Sequence, residues 1–349
     1  MKQDIIDAVT GWVQHTMGWP DAHISQISGG MTNTLWSAGP DEHGPPACVI
    51  RMVNTELSEA GLIERAAERA ITASASAACP RAVPPILTPT EGIALPGRTI
   101  YVRAEKWVRG DDVSRESLAT PLACQAVGTI LAAVHATTPA LPIPAQAWAI
   151  RIARRCYAAL AAIPEAAAVF PAWAGVRWAA VIDRLEAAIP ADAWLAQLVP
   201  CHNDAQEGNW LRAAPGDLRL IDWEYAGWNW RGFDLANFMV EWELSYEVEV
   251  QPGFVVSPQP QPAARAARNA LLCAYCAGCG VPFNELDAQW ELLRFMTDAS
   301  HAVWSLWAIF MAVHKNAPPE GTVFDYGEYA RTRANLISAE IMGEDGAGL

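Results

Sequence analysis

Residues 198–242 read LVPCHNDAQEGNWLRAAPGDLRLIDWEYAGWNWRGFDLANFMVEW, and this stretch decides the fold. Two strand-like runs, 209–213 (NWLRA) and 218–222 (LRLID), flank Pro215-Gly216-Asp217. Turn residues between two such runs predict a β-hairpin. Counting outward from 215–216, Asn209 and Asp222 are equidistant and are expected to face each other. Both then lie at the open end of the hairpin, beside the loop carrying His202, Asn203 and Asp204.

An Asp, an Asn five residues later and a second Asp at the end of the next strand form a kinase pattern, HxDxxxxN followed by a metal-binding Asp. The chemistry requires those residue types. Mg²⁺ is hard and takes oxygen ligands, which the Asn209 amide and the Asp222 carboxylate supply. Asp204 has no obvious ion-pair partner, so it is placed to orient an acceptor hydroxyl and take its proton. His202 is expected to brace the loop rather than act as a base. An ordinary polar loop would account for the HxDxxxxN run alone. With the hairpin and IDWEY in register, phosphoryl transfer is the better reading.

The nucleotide side must lie upstream. The chain has no GxxxxGK[ST] and no Gly-Lys pair, which excludes a Walker loop. The candidate is Ser28, Gly29, Gly30, Met31, Thr32 and Asn33, between two strand-like runs. Two glycines let a backbone approach phosphates closely, although a hairpin turn would look the same. A kinase fold also needs a cation on the α- and β-phosphates, held by a helix Glu. Lysine occurs only at Lys2, Lys106 and Lys315, none of them on the appropriate strand. Arg51, in ACVIR, is the natural substitute, because a guanidinium can fork to phosphate and carboxylate together. Its expected partner is Glu68, or else Glu64; the bland alternative is a surface Arg and a solvated Glu.

Working outward, 349 residues with 52% apolar and 18% charged side chains give one large domain or two modest ones with ample core. A formal charge of −14 argues against a nucleic-acid binder and a polybasic membrane anchor, and leans toward a protein that handles a cation. The longest apolar helical run lies between His301 and His314, too short for a span. The N-terminus has no leader-like apolar region, and the protein is expected to be cytoplasmic. Eight cysteines read as buried small hydrophobes. CAYCAGC (273–279) sits in a helix-like run without a fourth ligand at metal-binding spacing, so core packing is favoured over metal. Residues 1–19 read as an amphipathic helix, 24–53 and 83–108 as strands, 58–78 as an Ala-rich helix, and 114–198 as long helices that resume after the hairpin. Ser114 is expected to cap the first of these. The fold class is α+β, with a small N-terminal β-sheet lobe, a linker near 105–113 and a larger mainly helical lobe.

CHNDAQEGNWL, LRLIDWEYAGWNWRGFDLANFMVEW and DASHAVWSLW resemble the choline/ethanolamine kinase family, in the aminoglycoside phosphotransferase-like branch of the protein-kinase fold. ISGGMTNTLW, ERAAERA, AEKWVRGDDVS and FDYGEYARTR also fit it. The resemblance implies a bilobal protein-kinase-like enzyme, with residues 1–106 holding ATP and 107–349 carrying catalysis and the acceptor. It implies Asp204 as catalytic base, Asn209 and Asp222 as Mg²⁺ ligands, and residues 28–33 and Arg51 on the phosphates. Lys106 and Val108 would meet adenine through their backbones, and Gln206 and Tyr225 would lie near the acceptor. A homodimer is also what it suggests.

The acceptor pocket has a reading of its own. Asp234 and Glu241 are i,i+7 on one helical face, and Trp304 and Trp307 are i,i+3 on a later helix. A quaternary ammonium prefers aromatic faces with a carboxylate nearby. Trp304, Trp307, Tyr246 and Tyr329, with Glu241, make such a box, and the family's matching positions hold the choline headgroup. Tryptophans at helical spacing are otherwise more often core. Asp234 reads as a buried carboxylate bracing the catalytic loop. Trp223, Trp228 and Trp230 stand where Phe or Tyr is expected, and Phe238 where the family has His. The expected reaction is ATP- and Mg²⁺-dependent phosphorylation of a small cationic alcohol, choline first. The rivals are ethanolamine, another amino alcohol, thiamine or an aminoglycoside as acceptor, and a pseudokinase that binds without turnover.

Overall fold

The structure is a computed structural model, and it describes residues 2–27, 32–164, 166, 175–246, 250–257, 261–284, 290–314 and 323–343. Helix α1 (Lys2–Met17) opens the chain and packs on the sheet that follows. That sheet contains β1 (His23–Ile27), β2 (Thr34–Gly39), β3 (Cys48–Met52), β4 (Glu91–Leu95) and β5 (Arg98–Lys106). Its order is β1-β2-β3-β5-β4, antiparallel throughout. Alternation gives the sheet two distinct faces. Cys48, Ile50, Ile100, Val102 and Ala104 bury one face with Val9 and Val13 of α1 in a small apolar core. Arg51, Arg103 and Glu105 occupy the other face.

Between β3 and β4 the single helix expected over 58–78 is two, α2 (Thr55–Glu59) and α3 (Arg65–Ala78). Gly61, with φ +71°, breaks the helix. Asn54 caps α2, its side chain accepting from the Glu56 and Leu57 amides. After β5 come β6 (Asp111–Asp112), α4 (Arg115–Leu118) and α5 (Pro121–His135). Ser114 caps α4 as expected, its side chain accepting from the Ser117 amide. The helical run splits again because Thr120 caps a new helix with Pro121 at its first turn.

The remaining labelled helices are α6 (Trp148–Ala161), α7 (Trp178–Ala188), α8 (Arg231–Glu241), α9 (Gln261–Cys279), α10 (Trp290–Val313) and α11 (Tyr326–Asn335). With α3 and α5 they share one large apolar core. Helix α9 packs on α5 at backbone distance, for a Cβ on Gly128 would stand 2.3 Å from the Leu271 carbonyl oxygen. The CAYCAGC cysteines lie on α9 without a disulfide. Among the described residues no helix is long and apolar enough to cross a membrane.

The hairpin forms, with one correction. Strands β8 (Trp210–Ala214) and β9 (Asp217–Leu220) meet at Pro215-Gly216, where Gly216 has φ +73°. A bulge at Ala213 shifts the register by one residue. Asn209 therefore faces Ile221, whose amide donates to the Asn209 carbonyl at 2.9 Å, and not Asp222. Strand β6 pairs with β8, while β7 (Leu198–Cys201) pairs with β10 (Gly227–Trp230) beneath the loop at 202–206.

Candidate active site

The loop after β7 is fixed from below by Asp234, on the first turn of α8. Its Oδ2 accepts the His202 amide at 2.8 Å and its Oδ1 the Asn203 amide at 2.7 Å. His135 of α5 lies 3.1 Å from Oδ2. Burial alone would raise the Asp234 carboxyl; hydrogen bonding and charge from His135 turn it down, so it stands as a carboxylate. Asn203 takes φ +71°, its side chain donating to the Tyr225 carbonyl at 2.8 Å. The His202 ring donates through Nε2 to the Ile221 carbonyl at 2.9 Å and lies edge-on to Trp223. Its other nitrogen accepts the Asp204 amide at 3.3 Å, so both ring nitrogens are occupied within the loop.

Asp204 makes no ion pair among the described residues. Asn209 Nδ2 donates to its Oδ2 at 3.0 Å and to its carbonyl at 2.7 Å. Burial pushes the Asp204 carboxyl well above its ordinary range, and the charges of Glu241, Asp222 and Glu224 push it further. Gln206 turns its side chain into the loop, Oε1 accepting the Gly208 amide at 2.9 Å.

Asp222 leaves β9 in a left-handed conformation, φ +59°. A non-glycine residue there is uncommon and is held by its surroundings. Its Oδ1 is buried and makes no hydrogen bond, with Arg51 Nη1 3.0 Å away. Asn209 Oδ1 also accepts nothing among the described residues. Two oxygens with no hydrogen bond at one end of the hairpin suit a hard divalent cation.

The expected Arg51–Glu68 pair is absent. Arg51 faces Arg103 directly across β3 and β5. Like charges opposite each other repel, and Glu105 resolves this by accepting Arg51 Nε at 2.8 Å and Arg103 Nε at 2.9 Å. Arg103 in turn binds Glu68, which also accepts Arg65 Nη1 at 2.9 Å. The result is a relay, Asp222–Arg51–Glu105–Arg103–Glu68–Arg65. Glu64 is not in it; it pairs with Arg151 and Arg155. Burial would raise the Glu105 carboxyl, but the Arg51 and Arg103 charges override it and hold it at about 2.

Of the glycine-loop residues, Ser28, Gly29, Gly30 and Met31 lie outside the described residues. Thr32 and Asn33 both engage Glu224, Thr32 through its hydroxyl and Asn33 through Nδ2 at 2.7 Å. Asn33 Oδ1 also accepts the Asn54 amide at 3.1 Å, tying the loop's end to the cap of α2. Burial and the Asp222 charge raise the Glu224 carboxyl to about 7. In the linker, the Lys106 amide already donates to the Pro85 carbonyl at 3.0 Å, so it is not open to a base. Val108 follows in the stretch before β6.

The aromatic residues converge on one wall. Trp304 and Trp307 lie edge-to-face, 5.6 Å apart, and Tyr225 meets Trp304 at 5.2 Å. Trp307 Nε1 donates to the Tyr225 hydroxyl at 3.0 Å, and Trp304 Nε1 to Asn237 Oδ1 at 3.0 Å. Tyr246 donates to Glu241 Oε2 at 2.8 Å, and its oxygen lies 3.1 Å from that of Tyr329. Phe238 packs edge-on to Trp210 and Trp242.

Sequence reasoning missed Arg103, Glu105, Glu224 and Arg333. Arg103 and Glu105, at i,i+2 in the strand RTIYVRAEK, were a usable signal, since they must share a face. Arg333, one turn after Tyr329, was another.

The sequence model of the choline/ethanolamine kinase family matches residues 24–338. Choline kinase alpha of Mus musculus is 34% identical over 152 residues, covering 39% of this chain and 32% of that protein. The match thus spans about a third of that relative's length. Among solved structures, Plasmodium vivax ethanolamine kinase aligns with a TM-score of 0.69 at 18% identity, over 93% of this chain and 85% of that one. Choline kinase from Cryptosporidium parvum Iowa II aligns at 0.68 and 20% identity, over 94% and 93%. At such identities the structures establish the fold, a kinase-like α+β architecture with a five-stranded N-terminal sheet.

Proposed function

The chain belongs to the choline/ethanolamine kinase family, and from that premise we propose that it transfers the γ-phosphoryl group of ATP to the hydroxyl of a small cationic alcohol, choline first. The observation that supports this is the arrangement of Asp204, held by Asn209 Nδ2 at 3.0 Å, at the end of the hairpin that also carries Asp222. The electrostatic neighbours of Asp204 include Glu241 on the acceptor side and Asp222 on the phosphate side. We assign residues 1–106 to nucleotide binding and 107–349 to catalysis and acceptor binding.

Asp204 accepts the hydroxyl proton as the oxygen attacks. Trp304, Trp307, Tyr329 and Tyr246 present ring faces and edges to the ammonium, and Tyr225 lines the path from cage to base. Orienting both reactants removes much of the entropic barrier. Asn209 and Asp222 would hold Mg²⁺, which neutralises charge on the phosphates. Arg51, kept in place by Glu105, opposes charge on the transferred group. A wall of aromatic rings favours a compact ammonium over a polycationic sugar, which would need several free carboxylates.

The test is ADP release by the purified protein with Mg-ATP and choline, ethanolamine, thiamine, kanamycin or no acceptor, with Asp204→Ala as control. Choline-dependent turnover lost in the variant is the expected result. Turnover with kanamycin alone would overturn the cage assignment, and nucleotide binding without product from any acceptor would overturn the enzyme reading.

A further inference from the structure

The carboxylate of the aromatic wall, Glu241, is already engaged on both oxygens. Arg333 of α11 is wholly buried. Its Nη1 donates to Glu241 Oε1 at 2.9 Å and to the Tyr329 hydroxyl at 3.1 Å, and its Nη2 donates to Ser300 Oγ at 2.8 Å. The second oxygen of Glu241 is taken by the Tyr246 hydroxyl. Around the indoles the pattern repeats. Asn237 Oδ1 accepts from Ser300 at 2.7 Å and from Trp304, while the Tyr225 hydroxyl accepts from Trp307. The buried atoms left without a hydrogen-bond partner nearby include two donors, Arg333 Nε and Asn237 Nδ2, beside one hydroxyl, that of Tyr326 against Trp307. The neighbourhood therefore has donors to spare, while the oxygens of Glu241, Asn237 and Tyr225 each already accept at least one hydrogen bond.

A primary ammonium carries three N–H donors and loses strong hydration on entry, so it needs acceptors inside. A trimethylammonium has no N–H and is held by ring faces. The Glu241–Arg333 pair is also formally neutral, which removes the point charge a primary ammonium would seek. We propose that Arg333 is a specificity-determining residue. By neutralising Glu241 and, together with Tyr246, engaging both its oxygens, it suits the cage to a fully N-methylated ammonium and disfavours a primary one. This rests on the amino-alcohol kinase reading above.

The experiment measures kcat/KM for choline, N,N-dimethylethanolamine, N-methylethanolamine and ethanolamine in wild type, Arg333→Met and Tyr246→Phe. Wild type is expected to lose about 10- to 100-fold from choline to ethanolamine, the range for leaving buried donors unpaired. Both variants should raise the ethanolamine-to-choline ratio, Arg333→Met by about tenfold or more, because each frees an oxygen of Glu241. Arg333→Met strips Glu241 of its cation, so Tyr246→Phe serves as the variant that spares the ion pair, and Mg-ATP affinity reports the fold of each. A simple loss of packing would lower both amines together and leave the ratio unmoved. An unchanged ratio in a folded Tyr246→Phe, or a wild type that prefers ethanolamine, overturns the proposal while the kinase reading stands. A wild type that binds Mg-ATP and turns over none of the four amines overturns both, and that failure appears before any variant is compared.

Discussion

The two halves of the site are held by different physics. The aromatic wall is built from α8, α10 and α11, helices that share one apolar core, and its polar atoms close on one another in neutral hydrogen bonds and one ion pair. The relay side alternates charge across a sheet and a helix, from Asp222 through Arg51, Glu105 and Arg103 to Glu68. A cage needs fixed shape, and packing supplies it. A site for a polyanion needs a cation that does not collapse onto the nearest carboxylate, and here opposing carboxylates on two sides hold it in tension. The first design concentrates its charge in one buried pair, Arg333–Glu241, whereas the second spreads it over a chain in which losing Arg103 leaves two carboxylates short of a cation.

The largest expected effect falls where the halves meet. Asp204→Asn should lower turnover about 10²- to 10⁴-fold while Mg-ATP still binds; steady-state kinetics beside a nucleotide titration would detect a base placed wrongly. Next comes the relay. Arg103→Met leaves Glu68 and Glu105 short of a buried cation and should cost about 3–5 kcal/mol in denaturant unfolding, with Arg103→Lys restoring part of it. A neutral result would erase the contrast drawn above. Acid should find the same weakness. The Glu105 carboxyl is depressed from 4.5 to about 2, so its contribution is present above pH 4.5 and is lost as pH falls toward 2. By linkage that amounts to about 3 kcal/mol at most, and Glu105→Gln should flatten the stability profile over that window. On the cage side the effects shrink. Trp307→Leu should raise the choline KM about tenfold with kcat little changed, the loss of one ring from a shared wall. Smallest is Asn54→Ala, which removes the α2 cap and should cost about 1 kcal/mol by thermal melting.

How much of this was legible in the sequence follows the same division. Asp204, Asn209, Asp222 and Asp234 lie within one stretch whose spacing is set by a short hairpin and one helix turn, so local rules reach them. Trp304 and Trp307 were legible because a helix fixes which residues share a face. The hairpin register was read one residue off, since nothing in NWLRAAPGDLRL marks Ala213 as the bulged position. The Arg51–Glu68 pair failed for a longer-range reason. Which side chain stands opposite Arg51 depends on how β3 meets β5, strands some fifty residues apart, and that meeting brought in Arg103. Helix breaks at Gly61 and Thr120 were likewise masked by alanine, which favours helix on both sides of the break.

The relay also separates this protein's interior from its bathing solution. Arg51, Arg103 and Glu68 are buried, whereas pairs such as Arg294–Glu340 and Arg154–Asp183 stand in water. Mobile ions screen the latter within about 3 Å at 1 M ionic strength and leave dry contacts largely untouched. Raising sodium chloride should therefore quiet the outer charges of an acidic molecule and leave the grip on Arg51 intact. Paired melts of wild type and Arg103→Lys at low and high salt would register it as a gap between the two proteins that brine does not close.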